Sequence, residues 1–248
     1  MKIRMFALAL VAGAAASSAN AQTLLSYWNF NASTPSSGTG TFGTLNSTAA
    51  NAGVFAGSAS MTLSAGLNYN TNATTAPNGD VGTFSGAVLS AIPADVATSP
   101  GGALSIRGSV SGSSSQGSAD NNGEFVQFSL STLGFTTIGI KWDGRGTSSG
   151  FGQTATPNKI LVSTDGINFS QLATYTSFQT GFQTYSFAGT GALDNQATIY
   201  VRLQLFGATT GAGNNRIDNF QVSGTAVPTP GSLALLGLGG LVAGRRRR

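Results

Sequence analysis

The sequence contains no cysteine and no histidine. Together these absences close off Ser-His-Asp triads, Cys-His dyads, thiolate or imidazole zinc sites, and haem ligation by those residues. Disulfide staples are excluded as well, so stability has to come from sheet burial and any bound ions. Charge is scarce, with Asp, Glu, Lys and Arg making up 8% of the chain. No stretch shows a sustained 3.6-residue period, so no glycine-rich phosphate loop sits between a strand and a helix. Carboxylates are what remains for catalysis: one glutamate, Glu124, and seven aspartates. None of them forms a closely spaced pair along one strand. A glycosidase needs two carboxylates about 5–10 Å apart, and only folding could assemble them.

Glycine is abundant, at 35 residues, and Ser, Thr, Ala and Asn fill much of the rest. That composition favours turns and strands over helices. A sequence pI of about 9.8 suggests a nucleic-acid binder until the charges are located. Lys2, Arg4 and Arg245 to Arg248 lie at the two ends, which leaves six basic against eight acidic residues between them. The body is mildly acidic and has no basic run, so nucleic acid is not an expected partner.

The two ends read as address labels. Met1-Lys2-Ile3-Arg4 is basic, Phe6 to Ala16 is apolar, and Ala19-Asn20-Ala21 is a small-x-small site. This is the layout of a signal peptide. Cleavage after Ala21 by signal peptidase leaves Gln22 first, with the export machinery as an implied partner. At the other end Val227-Pro228-Thr229-Pro230-Gly231 precedes an apolar run that closes on Arg245, Arg246, Arg247 and Arg248. Ser232 to Gly244 as a helix measures only about 20 Å, against roughly 30 Å of hydrocarbon. Its glycines weaken a helix by about 1 kcal/mol each. Such a segment stalls in a membrane, with its arginines on the cytoplasmic side, but holds it weakly. The stretch Val227 to Arg248 resembles the PEP-CTERM sorting signal of exported bacterial proteins. The resemblance implies processing by an exosortase-type enzyme and delivery to the cell surface or polysaccharide matrix. Thr229 stands where that family usually has Glu.

Between the labels, short runs alternate with turn signals. Leu24–Phe30 is the first expected strand, 31–52 reads as loop with room for one weak strand, and 54–67 could hold a strand pair. Residues 70–82 carry turn signals, and 111–123 is too polar to pack. Further strands are expected at 103–110, 124–130, 136–142, 159–163, 168–172, 183–187, 198–206 and 216–222. Ile138, Ile140 and Trp142 alternate onto one face, as do Ile199, Val201, Leu203 and Leu205. Asp165-Gly166 between two apolar runs marks a hairpin. The expected fold is all-β: a two-sheet antiparallel sandwich, jelly-roll-like, flanked by a signal helix and a short C-terminal hydrophobic helix. The expected domains are 1–21 (signal peptide), 22–225 (sandwich, best patterned over 100–223) and 226–248 (sorting signal).

Trp142-Asp143-Gly-Arg145, Val162-Ser-Thr-Asp-Gly166, Ile199-Tyr-Val-Arg-Leu203 and Asn215-Arg-Ile-Asp-Asn-Phe-Gln-Val222 are similar to jelly-roll surface domains that often precede this sorting signal. The likeness implies a fold and carries no ligand. Candidate sites come from the residues themselves. Asp120, Asn122 and Glu124 in a tight Gly turn are oxygen donors of the kind calcium takes, although a solvated turn explains them as well. Tyr200, out of phase with its buried neighbours, and Arg202 are the candidate contacts for a glycan. Trp28 and Trp142 read as core. Asp143 with Arg145, and Arg216 with Asp218, are spaced to share a strand face, where they read as polar contacts to a sugar or, by preference, as ion pairs that set register. The leading expectation is a non-catalytic exported protein, structural or adhesive, with no required cofactor. The alternative is a carbohydrate-binding module with extracellular polysaccharide as partner, and a carboxylate glycosidase or lyase comes third.

Overall fold

The structure, a computed structural model, describes residues 22–31, 48–67, 81–95, 101–109, 120–177 and 181–228. In chain order its strands are β1 (Thr23–Trp28), β2 (Thr48–Ala49), β3 (Ser60–Leu63), β4 (Val81–Ser85), β5 (Gly102–Arg107) and β6 (Phe125–Leu130). They continue as β7 (Phe135–Gly146), β8 (Asn158–Ser163), β9 (Ser170–Tyr175), β10 (Gln183–Ala188), β11 (Ile199–Gln204) and β12 (Asn214–Ala226). The one helical turn among the described residues is a 3-10 turn at Gly191–Leu193. The helices expected at residues 1–21 and in the C-terminal apolar run lie outside the described residues.

Two six-stranded antiparallel sheets result. The first runs β10-β7-β12-β5-β4, with β1 also on β12, and the second runs β2-β3-β6-β11-β8-β9. From β5 onward, strands entering the first sheet alternate with strands entering the second, apart from the β8-β9 hairpin. This makes an all-β sandwich, as the alternating apolar pattern requires.

Period-2 patterning decides which side of each strand is core. Ile199, Val201 and Leu203 of β11 are fully buried, while Tyr200, Arg202 and Gln204 are half-buried on the opposite face. Aromatic side chains join the two sheets. Phe128 of β6 stacks on Phe220 of β12 at 3.5 Å between ring centroids, and Trp28 meets Phe128 edge-on at 4.9 Å. Trp142 of β7 contacts Tyr175 of β9 at 5.0 Å. Both tryptophans are completely buried, so neither is available to stack on a ligand.

Four elements differ from expectation. β4 begins at Val81, at the end of the 70–82 stretch of turn signals, and runs on to Ser85, where no strand was expected. The 54–67 stretch yields one strand, β3, because a turn occupies Val54–Ser58. β7 and β12 run longer than their apolar cores, into Gly144, Gly146, Asn214 and Asn215, whose weak strand propensity is overridden by pairing of Gly146 with Asn215, Gly144 with Ile217 and Asn214 with Arg107.

β12 is the hinge of the topology. One edge pairs with β7 along most of its length. The other edge pairs with β5 at Asn214–Ile217 and with β1 at Phe220–Gly224. The changeover coincides with a register shift after Asp218, where Asn219 adopts φ 51°. Asn is among the few residues that tolerate this left-handed conformation. The bulge it makes re-aims the side chains beside it.

Candidate functional site

The outer face of the second sheet is built from cross-strand rows. Strand register aligns Thr62, Gln127, Arg202, Leu161 and Gln171 across β3, β6, β11, β8 and β9. The next rows carry Ser60, Ser129, Tyr200 and Ser163 on one side, and Phe125, Gln204 and Lys159 on the other. Arg202 is the centre of this face. Its guanidinium lies 4.0 Å from the ring centroid of Phe125 and 3.6 Å from that of Phe169. Its Nε donates to Gln127 Oε1 at 2.7 Å. Burial lowers the Arg202 pKa from its ordinary value. The guanidinium is therefore clamped by two aromatic faces and one hydrogen bond, and its two terminal nitrogens make no hydrogen bond to any described residue. Lys159 sits over the Phe206 ring at 4.8 Å on the same side.

The loop from β8 to β9 walls this platform. Asp165 accepts hydrogen bonds from the Ile167 and Asn168 amides at 2.9 and 2.8 Å, from the Asn168 carboxamide at 2.8 Å, and from Ser163 Oγ at 2.8 Å. These donors, the Asn168 side chain foremost, hold the Asp165 carboxyl well below the usual carboxylate range. Gly166 takes φ 74°, as the expected turn requires. A Cβ at this glycine would stand 3.0 Å from Tyr200 Cζ, so the turn leans on the tyrosine ring. Tyr200 is half-buried, with one side against its own loop. Arg202 is the more accessible chemistry of the two. The two phenylalanines that hold it went unread in the sequence, although Phe125 and Arg202 occupy outward positions of neighbouring strands.

The outer face of the first sheet carries the acidic residues. Asp143 of β7 and Asp218 of β12 stand directly opposite each other, 0% and 1% exposed. Asp143 accepts from the Ser90 amide (2.9 Å), Thr184 Oγ1 (2.7 Å) and Asn219 Nδ2 (2.9 Å). Asp218 accepts from the Ala87 amide (2.7 Å) and the Asn219 amide (2.8 Å). Asp95 accepts from Tyr27 Oη and from the side chains of Asn29 and Asn31, and Tyr27 Oη also donates to Asn219 Oδ1. Segment 86–95 is thereby strapped over the sheet. Burial pushes the Asp218 carboxyl up to about 8, with Asp143 and Asp95 adding to the rise and hydrogen bonds from Ala87 and Asn219 opposing it. This corrects the expected ion pairs: both carboxylates take amides and hydroxyls, and neither takes an arginine. The cause is segment 86–95, whose Ala87 and Ser90 amides bond the two carboxylates, with Asn219 bonding both Ala87 O and Asp143.

The three calcium candidates share one turn. Asn122 clamps Ala208, its Nδ2 donating to the carbonyl and its Oδ1 accepting the amide, both at 3.0 Å. Asp120 is exposed and accepts Ser109 Oγ at 3.0 Å. Glu124 is half-buried, its carboxylate beside Gly66. Calcium asks for six to eight oxygens. Among the described residues no group of three or more His, Cys, Asp or Glu converges as a metal site does.

At the termini, Gln22 is exposed and joins the first sheet. Its Oε1 accepts from Ser223 Oγ at 2.8 Å and its Nε2 donates to Thr137 O at 3.3 Å. Val227 and Pro228 are exposed, and the Val227 amide donates to Gly134 O at 2.8 Å. Ala19, Ala21, Thr229, Pro230 and Arg245 to Arg248 lie outside the described residues.

No family model and no curated protein matches the sequence. Solved structures resemble the fold at low identity. The CBM22-1 xylan-binding domain of Xyn10C from Paenibacillus barcinonensis is 11% identical with a TM-score of 0.43, covering 85% of this chain and 99% of that one. TmCBM61 in complex with beta-1,4-galactotriose is 13% identical with a TM-score of 0.34, covering 58% and 81%. The K2 cleaved adhesin domain of Lys-gingipain is 13% identical with a TM-score of 0.33, covering 49% and 72%.

Proposed function

We propose that this chain is an exported, non-catalytic surface protein whose sandwich binds polysaccharide on the outer face of its second sheet. The observation that carries the reading is the Arg202 clamp. A guanidinium held between Phe125 and Phe169, with its terminal nitrogens unengaged by described residues, is a rigid donor pair beside apolar rings. Sugars present that combination in reverse, with hydroxyl acceptors around an apolar C–H face. The rows flanking Arg202 add neutral donors and acceptors in Gln127, Gln204, Ser129 and Thr62. A preformed site of this kind avoids the entropic cost of ordering its side chains on binding.

The non-catalytic part rests on the carboxylates. Folding does bring Asp143 and Asp218 together, but both are sealed beneath segment 86–95 and bonded to its backbone. We further infer that β5 to β12 form the jelly-roll winding expected from the sequence, that residues 1–21 direct export, and that Val227 to Arg248 direct sorting by an exosortase-type enzyme.

Affinity electrophoresis of the protein in neutral polysaccharides, xylan and mixed-linkage glucan among them, tests the platform. Retention should fall about 10- to 100-fold in Arg202→Ala, the equivalent of losing one or two charge-assisted hydrogen bonds. Retardation unchanged by the substitution, with the fold intact by circular dichroism, would remove Arg202 from the site.

A further inference from the structure

The six strands of the second sheet carry two charged side chains, Lys159 and Arg202, and both are cations. Strand alternation puts both on the outer face. Register pairs Arg202 of β11 with Leu161 of β8, so Lys159, two residues before Leu161, is the diagonal neighbour of Arg202. Such neighbours stand about 7–8 Å apart. Like charges at that spacing repel, and the strands of this sheet hold no carboxylate to offset them.

Each cation is held at its flanks and open at its tip. Phe125 and Phe169 lie against the Arg202 guanidinium, and Gln127 takes its Nε proton, which leaves the edge bearing the two terminal nitrogens. The Lys159 ammonium rests over the Phe206 ring and donates to no described residue. Both side chains are half-buried, and none of these free nitrogens is among the buried polar atoms that lack a partner, so the tips face solvent. The acids in nearby loops are directed elsewhere. Asp165 accepts from Ile167, Asn168 and Ser163. The Glu124 carboxylate lies beside Gly66, just past β3, which flanks β6 on the side away from β11.

We propose that Arg202 and Lys159 together take the oxyanion of an acidic polysaccharide, a uronate carboxylate or a sulfate ester, so that the platform grips acidic chains more tightly than neutral ones. The free edge of the guanidinium is a planar pair of N–H donors, the fork that matches two oxygens of such a group. Lys159 adds a second point charge on a flexible stem. An anion between them relieves their repulsion. The body as a whole is mildly acidic, so a preference for anions has to come from this local pair. The inference rests on polysaccharide binding at this face and names the class of polysaccharide.

The test is calorimetric titration of the full chain with oligogalacturonate and its methyl ester, with sulfated and plain dextran, and with neutral xylan. At least one acidic probe should bind about 10-fold tighter than its uncharged counterpart, and the ratio should shrink as salt rises. The probe pair that shows the ratio identifies the oxyanion. Lys159→Met keeps an apolar stem over Phe206 and removes the charge, and should cut the ratio about threefold. Arg202→Lys keeps the charge and removes the fork, and should abolish most of the ratio. Equal binding of each acidic probe and its counterpart, with xylan still bound, overturns this inference and leaves the platform standing. Binding of no probe rejects both. An acidic preference that neither substitution changes places the oxyanion elsewhere and overturns the assignment. If Lys159→Met does not fold, Arg202→Lys decides alone, since an unchanged ratio there is enough to overturn it.

Discussion

Asp218 carries a carboxyl whose folded-state pKa, about 8, lies far above the ordinary value of 3.8. The folded protein therefore binds this proton more tightly than the unfolded chain does. Stability from this group is fully present below about pH 4 and drains away as pH rises towards 8, because deprotonation then leaves a charge buried beside Asp143 and Asp95. The melting temperature should fall between pH 5 and pH 8, by about 2–4 °C for each kcal/mol lost. Asp218→Asn removes the titration and should flatten that slope. A wild-type profile that rises over the same range would contradict the buried, protonated carboxyl. Asp165 behaves oppositely, since four donors hold it ionised. One residue type takes two charge states here because one aspartate sits in a solvent-facing turn and the other beneath a strap.

Segment 86–95 is neither helix nor strand, and it stays on the sheet through side chains that reach it from β7 and β12. Asn219 holds the most bonds, donating to Ala87 O and Asp143 and accepting from Tyr27. Its φ of 51° is tolerable for Asn and costly for most residues that lack a polar side chain. Asn219→Ala should cost about 1–3 kcal/mol through the buried groups left unsatisfied. The loss should be local before it is global. In hydrogen exchange the Ala87 and Ser90 amides, which donate to Asp218 and Asp143, should lose protection while β7 keeps its own. If those amides exchange no faster than in the wild type, the strap is held by something other than this network. Val88 and Leu89, exposed at 51% and 58%, add little to that anchorage.

For the molecule as a whole, β12 is the strand by which the chain leaves the sandwich. That strand ends at Ala226, and the Val227 amide is still bonded to Gly134. The proposed signal thus begins where the sheet stops, so removing it should cost the fold little. A chain ending at Gly244 should melt within a degree or two of the full one yet partition differently between membrane, surface and medium. Mass spectrometry should find the C-terminus of the intact chain trimmed in the exporting cell. Identical partitioning of both chains, with all four arginines retained, would end the sorting reading.

The sequence by itself determined the all-β class and most strand positions, along with the burial of Trp28 and Trp142 and the turn at Gly166. Each depends on local alternation or on a single backbone constraint, and both are written in neighbouring residues. It pointed to Arg202 because that position is out of phase with a clean apolar stripe. Its partners Phe125 and Phe169 come from other parts of the chain, and only strand register joins them to it. The same holds for Asp143 with Asp218 and Arg145 with Arg216, where sequence spacing suggested pairs along a strand and folding made pairs across strands. Both aspartates face outward by strand alternation, next to inward Trp142 and Ile217, and segment 86–95 covers them. Contacts between residues distant in sequence are set by which strands pair and in what register, and that is decided by burying both sheets at once.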